Sequence, residues 1–482
     1  MYIVDEISYW AKAAPHRPAV IQPDLVLTYQ MLADAIRSAG QRIIKSDLDP
    51  GMPVAVLLDN PGKTLAVCFA LMQHSYVIAP IDASLLPHLR AAGIGNLIRA
   101  RGEEIAGGRN VRFDDTWLRQ DSGPRTIAMH RNEPAADAIA TVFFTSGTTG
   151  TPKKTVQTRE SIQERFNMAQ LTGEADTDRI LLTMGLSTTF GFFGACTILR
   201  AGKTACFAPI GSPSLVLVGT YGIDAISGSP QQVIALLDLV EKGGRFALDS
   251  LKQIRIGGGS LTKTFARRVQ SSLCRKLFAS YGITELGKVA GANYDMIANV
   301  PDAVGIPYPR VELEIVDETG ASLPSGAQGM VRCRTPYFLK NLRARNPDDA
   351  DAWWYPGDMG LLTDQGVLCI AGRSDDVINL GGVKISALTV DGALLEHAGL
   401  KDAGACGVKG ADGTDRMWVA IVPDGTKANV SALMSSIKQD PNFGADIEGL
   451  FVVDRIPRNR LGKIQRNELK AMLLQMKSSS GN

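Results

Sequence analysis

A glycine- and hydroxyl-rich segment in the first half of the chain has the composition of an anion-binding loop. Its sequence is Thr145-Ser146-Gly147-Thr148-Thr149-Gly150-Thr151-Pro152-Lys153. Glycines let backbone N–H groups turn toward an anion, the hydroxyls add donors, and Lys153 adds a positive charge. An ordinary surface loop of similar composition is the alternative. Phosphate binding is favoured because the segment follows the apolar run 138–144, whose β-branched and aromatic residues predict a buried strand.

This loop differs from the phosphate loop of P-loop NTPases. That pattern, GxxxxGK[ST], requires a glycine directly before its lysine, and this chain has Pro152 there. The sequence therefore predicts phosphate binding within a different fold, and a P-loop NTPase or nucleic-acid motor is the weaker hypothesis.

Five further segments rich in glycine and charged residues follow later in the chain. They are Gly257-Gly258-Gly259-Ser260-Leu261, Ser280-Tyr281-Gly282-Ile283-Thr284-Glu285, Trp354-Tyr355-Pro356-Gly357-Asp358, Gly372-Arg373-Ser374-Asp375-Asp376 and Pro457-Arg458-Asn459-Arg460-Leu461-Gly462-Lys463-Ile464. With the first loop, they resemble the motifs of the acyl-adenylate-forming superfamily in content and in order. That superfamily includes acyl- and aryl-CoA synthetases, adenylation domains of peptide synthetases, and firefly luciferase.

The resemblance implies a site for ATP. The first loop would hold the β- and γ-phosphates, Tyr281 would stack on the adenine, and Asp358 would accept both ribose hydroxyls with help from Arg373. The implied nucleotide-binding residues are Thr145, Ser146, Gly147, Thr148, Thr149, Gly150, Lys153, Gly259, Ser260, Ser280, Tyr281, Gly282, Thr284, Asp358 and Arg373.

Three of the matched residues would be catalytic. Glu285, with Thr284, would hold Mg²⁺ between phosphate oxygens, since that ion prefers hard oxygen ligands. Lys463 would neutralise the charge shared by the substrate carboxylate and the α-phosphate. Taken alone, a single Glu or Lys is usually a solvated surface group, so these roles depend on the resemblance.

The resemblance also locates an acid pocket. Its implied residues are Thr188, Phe190, Ser227, Gly228, Gly257 and Gly258. Thr188 stands where many relatives carry a histidine. Peptide-synthetase adenylation domains hold the substrate's α-ammonium with an aspartate in the segment corresponding to 186–194, which here contains no acidic residue. A buried ammonium without a counter-charge costs several kcal/mol, so we predict an aryl or fatty acid. The phenylalanines at 190, 192 and 193 would form an apolar slot, with a core role as the alternative.

The acceptor of the activated acid stays open at this point. Coenzyme A and the phosphopantetheine arm of a carrier protein present the same thiol, and Gly381 and Gly382 would approach the thiol tunnel in either case. The resemblance further implies a hinge at Asp375, about which a small lid rotates between the two reaction steps.

The apolar pattern indicates which elements position these residues. Strand patterns at 55–58, 76–80 and 179–183 alternate with helical patterns at 65–72 and 263–277, which predicts an α/β fold with parallel sheets covered by helices. A hairpin with its turn at 364–366 precedes a change in character. We therefore predict a large domain of parallel or mixed sheets over residues 1–373. Residues 374–482 would form a small mobile α+β lid, with helices near 388–397 and from 466, and strands near 403–408 and 417–422.

Composition excludes several classes of protein. The formal net charge is +2 over 482 residues, which gives no reason to expect a nucleic-acid or membrane partner. Seven cysteines never form C-x-x-C, so we expect free thiols in a reducing compartment. No apolar run reaches the roughly 20 residues of a membrane span, and no signal peptide is evident, so a cytoplasmic location is the expectation.

Together with these observations, the resemblance implies an ATP-dependent acid–thiol ligase. Attack of a carboxylate on the α-phosphate of ATP would give an acyl-adenylate, from which a thiol, most simply that of coenzyme A, displaces AMP. A stand-alone adenylation enzyme that loads a carrier protein in trans is the first alternative. A nucleotide-binding relative without catalysis is the second, and it is disfavoured because Lys463 and Glu285 are both present.

Overall fold

The strands of residues 18–373 form two large sheets, and helices pack against both. The computed structural model describes residues 3–102, 104–118, 135–145, 152–171, 177–259, 261–336, 353–380, 383–410, 414–424, 430–440, 444–459 and 462–479. The α/β class predicted from the alternating apolar pattern is therefore confirmed.

The helices begin at residues that can cap them. Ser229 accepts a hydrogen bond from the backbone of Gln232, whose side chain bonds back to Ser229, and Pro230 occupies the first helical turn. The helices are α1 (Ile3–Ala13), α2 (Tyr29–Ile44), α3 (Pro61–Gln73), α4 (Arg159–Leu171), α5 (Thr189–Arg200), α6 (Ser212–Tyr221), α7 (Pro230–Glu241), α8 (Lys263–Ser272), α9 (Tyr294–Asn299), α10 (Ala387–Leu395), α11 (Val430–Lys438) and α12 (Arg466–Ser479).

The strands are short and are mostly buried on at least one face. They are β1 (Pro18–Gln22), β2 (Leu25–Thr28), β3 (Val54–Leu57), β4 (Ile78–Pro80), β5 (Asn96–Arg99), β6 (Arg109–Arg112), β7 (Ile139–Thr145), β8 (Lys153–Thr158), β9 (Arg179–Leu182), β10 (Thr204–Cys206), β11 (Ala225–Gly228), β12 (Gln253–Gly257), β13 (Lys276–Ile283), β14 (Gly287–Asn293), β15 (Ala303–Pro307), β16 (Glu312–Val316), β17 (Gly329–Arg334), β18 (Asp358–Leu362), β19 (Leu368–Arg373), β20 (Val377–Leu380), β21 (Val383–Ser386), β22 (Leu400–Lys409), β23 (Asp415–Pro423) and β24 (Ile447–Val452).

The larger sheet changes from parallel to antiparallel along its width. Among the described residues its order is β16-β17-β18-β19-β15-β14-β13-β12-β11-β9-β10-β1-β2. The neighbours from β1 through β10, β9, β11 and β12 to β13 run parallel, and the pairs from β13 to β16 are antiparallel. The smaller sheet has the order β6-β5-β3-β4-β7-β8 and is parallel except for β8. Parallel sheets of this kind place ligand sites at the carboxyl ends of their strands.

The C-terminal part has its own sheets and its own core. Strands β22, β23 and β24 form one sheet, β20 and β21 form a second, and α10 packs on β22. Ile378, Leu394, Val419 and Ile437 belong to a core cluster whose members all come from residues after 377. A boundary between residues 373 and 374 stays our proposal, and the separate core is consistent with it.

Most predicted elements are confirmed, and one helix is shorter than predicted. The pattern at 263–277 predicts a continuous helix, but α8 ends at Ser272, and Leu277 lies in β13. Leu277 is buried beside β12 in the sheet, so tertiary packing overrides the helical pattern at that end. The hairpin with its turn at 364–366 is confirmed by the pairing of β18 with β19.

The cysteines and the helices both bear on expectations drawn from composition. All seven cysteines are buried and unbridged, as predicted. Within the described part of the chain, no helix is both long and apolar enough to cross a bilayer.

Candidate active site

The carboxyl ends of four neighbouring parallel strands meet at one edge of the larger sheet. The chain leaves β9 at Thr183, β11 at Ser229, β12 at Gly258 and β13 at Thr284. Two of the six matched segments, at 257–261 and 280–285, therefore begin at adjacent positions on this edge. Gly257 lies directly opposite Ser280 in the register of β12 and β13.

The predicted phosphate loop connects two antiparallel strands. Strand β7 pairs with β8, and Thr145 lies opposite Lys153, so the segment between them closes a hairpin instead of leading into a helix. This agrees with the prediction that the fold is not that of P-loop NTPases. Lys153 is exposed at the start of β8. The loop residues Ser146, Gly147, Thr148, Thr149 and Gly150 lie outside the described residues, so their phosphate contacts remain a prediction.

The turn between β13 and β14 places a carboxylate beside this hairpin. Thr155 Oγ1, on β8, donates to Glu285 Oε1 at 3.5 Å. Arg165 Nη2, on α4, donates to the backbone oxygen of Thr284 at 3.2 Å. Thr284 and Glu285, two of the three catalytic residues implied by the resemblance, thus lie next to the strand that follows the phosphate loop.

A single carboxylate at this position suits magnesium. Within the described ranges, no three His, Cys, Asp or Glu side chains form a metal-binding group. Magnesium usually keeps several waters and takes one or two carboxylates together with substrate phosphates. Glu285 therefore fits Mg²⁺ that arrives with a nucleotide and does not fit an ion held by protein ligands alone.

Asp358, Arg373 and Tyr281 form a second polar cluster. The register of β18 and β19 places Asp358 opposite Arg373, with Arg373 Nη1 at 3.6 Å from Asp358 Oδ1. The Tyr281 hydroxyl donates to Asp358 Oδ2 at 2.5 Å. Burial raises the pKa of the Asp358 carboxyl above its usual value, and the Tyr281 hydrogen bond and the Arg373 charge oppose that rise. The predicted stacking of Tyr281 is untested, whereas its hydrogen bond to Asp358 was not anticipated from the sequence.

The segment that carries Lys463 is a tight turn held by its own backbone. Asn459 accepts from the backbone N–H of Lys463 through Oδ1 at 3.0 Å, and its backbone oxygen accepts from Gly462 at 2.9 Å. Arg458 donates to the Gly462 oxygen at 2.6 Å and pairs with Asp402 at 2.6 Å. Because these bonds use the backbone of Lys463, its side chain is not needed to form the turn.

Lys463 lies in the same electrostatic environment as Asp358 and Arg373. Its side chain is open to solvent, but the surrounding protein desolvates the ammonium group and lowers its pKa below the usual value. The charges of Asp358 and Asp376 act in the opposite direction, and Arg373 lowers the pKa further. Lys463, a residue near the C-terminus, therefore lies close to Asp358, the carboxylate that the resemblance assigns to ribose binding.

Contacts across the two parts of the chain support this placement. A Cβ atom added at Gly462 would lie 2.2 Å from Gln231 Cγ. The turn that carries Lys463 therefore packs against the start of α7, the helix that follows β11. Thr264 Oγ1, on α8, donates to Glu396 Oε2 after α10 at 2.6 Å. The C-terminal part therefore packs against the large part in a position that brings Lys463 near Asp358 of the predicted nucleotide site.

The polar residue Thr188 acts locally as a helix cap. Its Oγ1 accepts from the backbone of Gly191 at 3.0 Å and donates to the Gly185 oxygen at 2.8 Å. The hydroxyl both donates and accepts at the start of α5, so Thr188 caps this helix, and its place in the acid pocket stays a prediction.

Two other predicted pocket residues are in contact. A Cβ atom added at Gly257 would lie 2.6 Å from Phe190 Cε2, so the ring occupies the space that a larger residue would need. Gly258 follows with a φ of +83° and open space where a side chain would project. Phe190 and Gly257, two of the residues predicted for the acid pocket, are therefore neighbours, and the pocket itself stays a prediction.

The neighbouring phenylalanines have a different role. Phe192 and Phe193 are buried, and their rings pack on Phe143 with centroid separations of 5.8 and 5.6 Å. The alternative interpretation, that these phenylalanines are core residues, therefore applies to this pair.

Some of the remaining predicted residues are closely packed glycines, and others lie outside the described residues. A Cβ atom at Gly228 would lie 2.0 Å from Thr183 Oγ1, and one at Gly259 would lie 2.9 Å from Pro230 Cγ, so both glycines permit close packing at the sheet edge. Gly282 lies similarly close to the backbone of Gly287, at 2.8 Å. Asp375 lies in the 3₁₀ turn Ser374–Asp376. Three further predictions, at Ser260, Gly381 and Gly382, lie outside the described residues.

Some residues that shape the site could not be recognised from sequence. Thr155 and Arg165 position the turn of Glu285, and Gln231 contacts the lysine turn. Each lies far from its partner along the chain and has no composition or spacing that would distinguish it. Only the position of Thr155, just after the phosphate loop, offered a weak signal.

Comparison of the sequence and the fold with known proteins identifies the family of this chain. The family model for AMP-binding enzymes matches residues 7–341. A salicylyl-CoA synthase / salicylate adenylyltransferase from Streptomyces is 26% identical over 96% of this chain and 92% of its own length. Enterobactin synthase component E from Escherichia coli is 27% identical over 80% of this chain and 78% of its own. The solved o-succinylbenzoate CoA synthetase from Bacillus subtilis, in complex with its acyl-adenylate intermediate, shares the fold with a TM-score of 0.81 at 23% identity, covering 96% of this chain and 97% of its own. The match of the family model over more than half of the chain shows that this protein belongs to the AMP-binding enzymes.

Proposed function

We propose that this chain activates a carboxylic acid with ATP and then transfers the acyl group to a thiol, with coenzyme A as the acceptor. The observation that carries the proposal is the position of Lys463, which shares the electrostatic environment of Asp358 and Arg373. A protein that merely binds nucleotide has no need of an ammonium group supplied by a separate part of the chain. Glu285, proposed for the metal, follows β13, and Asp358, proposed for the ribose, is hydrogen-bonded to Tyr281 of the same strand, which supports the proposal.

The first step joins two anions, so charge neutralisation dominates it. A carboxylate oxygen of the acid attacks the α-phosphorus, the bond from that phosphorus to the β-phosphate oxygen breaks, and pyrophosphate leaves. Lys463 would stabilise the charge shared by the carboxylate and the α-phosphate. Asp358 would orient the ribose, and Glu285 would hold Mg²⁺, which offsets negative charge on the phosphates when it is bound.

The second step requires a different arrangement. A thiol sulfur attacks the acyl carbon, the bond from that carbon to the phosphate oxygen of AMP breaks, and the thiol proton passes to solvent. We propose that residues 374–482 act as a lid that turns about Asp375, so that the Gly381–Gly382 segment replaces Lys463 at the site. The separate core of the C-terminal part supports motion as a unit.

Coenzyme A is proposed as the acceptor because several relatives are named for it. These include the salicylyl-CoA synthase and the 2-succinylbenzoate–CoA ligase of Bacillus cytotoxicus, the latter 23% identical over 95% of this chain. The described residues favour neither coenzyme A nor a carrier protein acting in trans. Thioester formation measured with coenzyme A and with a phosphopantetheinylated carrier protein, at equal thiol concentration, would separate the two acceptors.

The proposed acid is an aryl or fatty acid without an α-amine. The segment 186–194 contains no carboxylate to hold an ammonium group, and Phe190 lies against Gly257 as an apolar wall. An amino acid would therefore bury its ammonium without a counter-charge in this segment.

Acid-dependent exchange of labelled pyrophosphate into ATP tests the function directly. We expect exchange with benzoates, phenylpropanoids or fatty acids, and far weaker exchange with proteinogenic amino acids. A clear preference for an amino acid would contradict the acid class. ATP binding with no exchange for any acid would support the alternative of a non-catalytic nucleotide-binding relative.

Tyr281→Phe should weaken nucleotide binding while the fold is retained. The substitution removes the donor to Asp358, a partly buried carboxylate whose lost hydrogen bond costs about 1–3 kcal/mol. We expect the KM for ATP to rise roughly tenfold or more, with a smaller change in the KM for the acid. Tyr294→Phe, on α9, is the matched control. Unchanged ATP dependence in Tyr281→Phe would show that Asp358 does not need this bond.

A further inference from the structure

The C-terminal part meets the large part on two consecutive helices, α7 and α8. On α8, Thr264 Oγ1 donates to Glu396 Oε2 at 2.6 Å. On α7, a Cβ atom at Gly462 would lie 2.2 Å from Cγ and 2.7 Å from Cβ of Gln231, so the backbone of Gly462 lies against the methylene carbons of that side chain. Since Gly462 directly precedes Lys463, this contact is one residue away from the proposed catalytic lysine.

Gln231 belongs to a helix start that is fixed by hydrogen bonds. The next residue, Gln232, donates through Nε2 to the backbone oxygen of Thr183 at 2.9 Å and accepts from the Thr183 hydroxyl at 2.8 Å. Arg268 of α8 pairs with Glu241 near the other end of α7 at 2.7 Å. These bonds hold α7 to the end of β9 and to α8, so Gln231 has a defined position in the large part.

The turn that rests on Gln231 is equally well defined. Gly462 has a φ of +79°, in the left-handed region that favours glycine. Asn459 accepts from the backbone N–H of Gly462 at 2.9 Å and from that of Lys463 at 3.0 Å. Adjacent Cα atoms are about 3.8 Å apart, so a displacement of the turn at Gln231 would also displace Lys463.

We propose that Gln231 is a positioning residue for acyl-adenylate formation, and that its methylene carbons set the depth at which the turn delivers Lys463 to the site. The inference rests on the proposed function. A misplacement of about 1 Å can lower a catalytic rate by about 10²-fold, so a contact this close to the lysine is a sensitive one. Once the lid has turned about Asp375 for the second step, the contact is no longer made, and Gln231 should not affect thioester formation.

Three substitutions of Gln231 test this role, with pyrophosphate exchange and thioester formation from preformed acyl-adenylate measured in parallel. Gln231→Trp places a larger side chain against Gly462 and should lower the kcat of exchange by about 10–100-fold, with the KM for ATP unchanged. Gln231→Ala removes Cγ and should cause a smaller loss in the same half-reaction. Gln231→Met keeps both methylene carbons without the amide and should retain the wild-type rate. The matched control is Gln270→Ala, which changes an exposed glutamine of α8.

A double-mutant cycle tests the contact itself. Gly462→Ala and Gln231→Ala change the two residues that touch, and contacting residues show non-additive effects. We therefore expect the double variant to lose less exchange activity than the product of the two single losses. Losses that multiply exactly would overturn the proposed contact.

The remaining outcomes separate this inference from the function on which it rests. Lowered exchange with retained thioester formation in Gln231→Trp would support it. Equal loss of both half-reactions would assign Gln231 a merely structural role and overturn it, as would wild-type exchange in Gln231→Trp. A loss in Gln231→Met as large as that in Gln231→Ala would overturn the role of the methylene carbons. If the wild type bound ATP but showed exchange with no acid, the proposed function itself would be contradicted, and this inference with it.

Discussion

Lys463→Ala is expected to lower acid-dependent pyrophosphate exchange by about 10²–10³-fold, because groups that stabilise charge developing in a transition state contribute about 2.7–4 kcal/mol. The ammonium lies within the electrostatic influence of Asp358 and Arg373, where it can act on the first step. The fold should be unchanged, since Asn459 holds the turn through the backbone of Lys463 and Gly462, which alanine retains.

Two controls make the result specific to the first step. Lys401→Ala removes an exposed lysine of the same C-terminal part and should leave exchange unaltered. Supplying preformed acyl-adenylate bypasses the first step, so Lys463→Ala should still convert it to thioester. Exchange within about tenfold of the wild type would show that Lys463 does not serve this transition state.

Asp375→Pro should separate the two half-reactions. The residue lies in the 3₁₀ turn Ser374–Asp376, which links β19 to β20 and thus the large part to the C-terminal part. Proline fixes φ near −65°, so it removes the backbone freedom that a hinge must use. We expect thioester formation to fall at least about tenfold further than pyrophosphate exchange, because the lid would stay near the position that presents Lys463.

The matched variant is Asp375→Ala, which changes the side chain and retains backbone freedom. It should support both half-reactions at similar levels, measured as pyrophosphate exchange and as thioester formed from preformed adenylate. Equal loss of both half-reactions in Asp375→Pro would mean that the residue is structural and that the proposed rotation does not pass through it.

Local patterns were the most reliable part of the sequence evidence. The hairpin that pairs Asp358 with Arg373 was predictable, because its turn residues lie between two short apolar runs and few other pairings compete. The end of α8 was not predictable, since the residues after Ser272 continue a helical pattern and only the neighbouring strand β12 makes an extended conformation favourable there. Phe190 contacts Gly257, whereas Phe192 and Phe193 pack in the core. This difference depends on which face of α5 meets the core, and local sequence does not show that face.

The sequence by itself determined the chemical groups and their order along the chain: the hydroxyl and glycine loop, Glu285, Asp358, Arg373 and Lys463. It could do so because residue types and short spacings are given directly by the sequence and do not depend on the fold. The tertiary structure decided which of these groups are close in space, because such contacts depend on the order of strands in the sheets and on how the two parts of the chain pack together. Glu285 contacts Thr155 across 130 residues of sequence, Lys463 lies in the electrostatic field of Asp358, and Gln231 lies against the turn that carries Lys463. None of these contacts follows from local pattern, since each joins elements brought together only by packing.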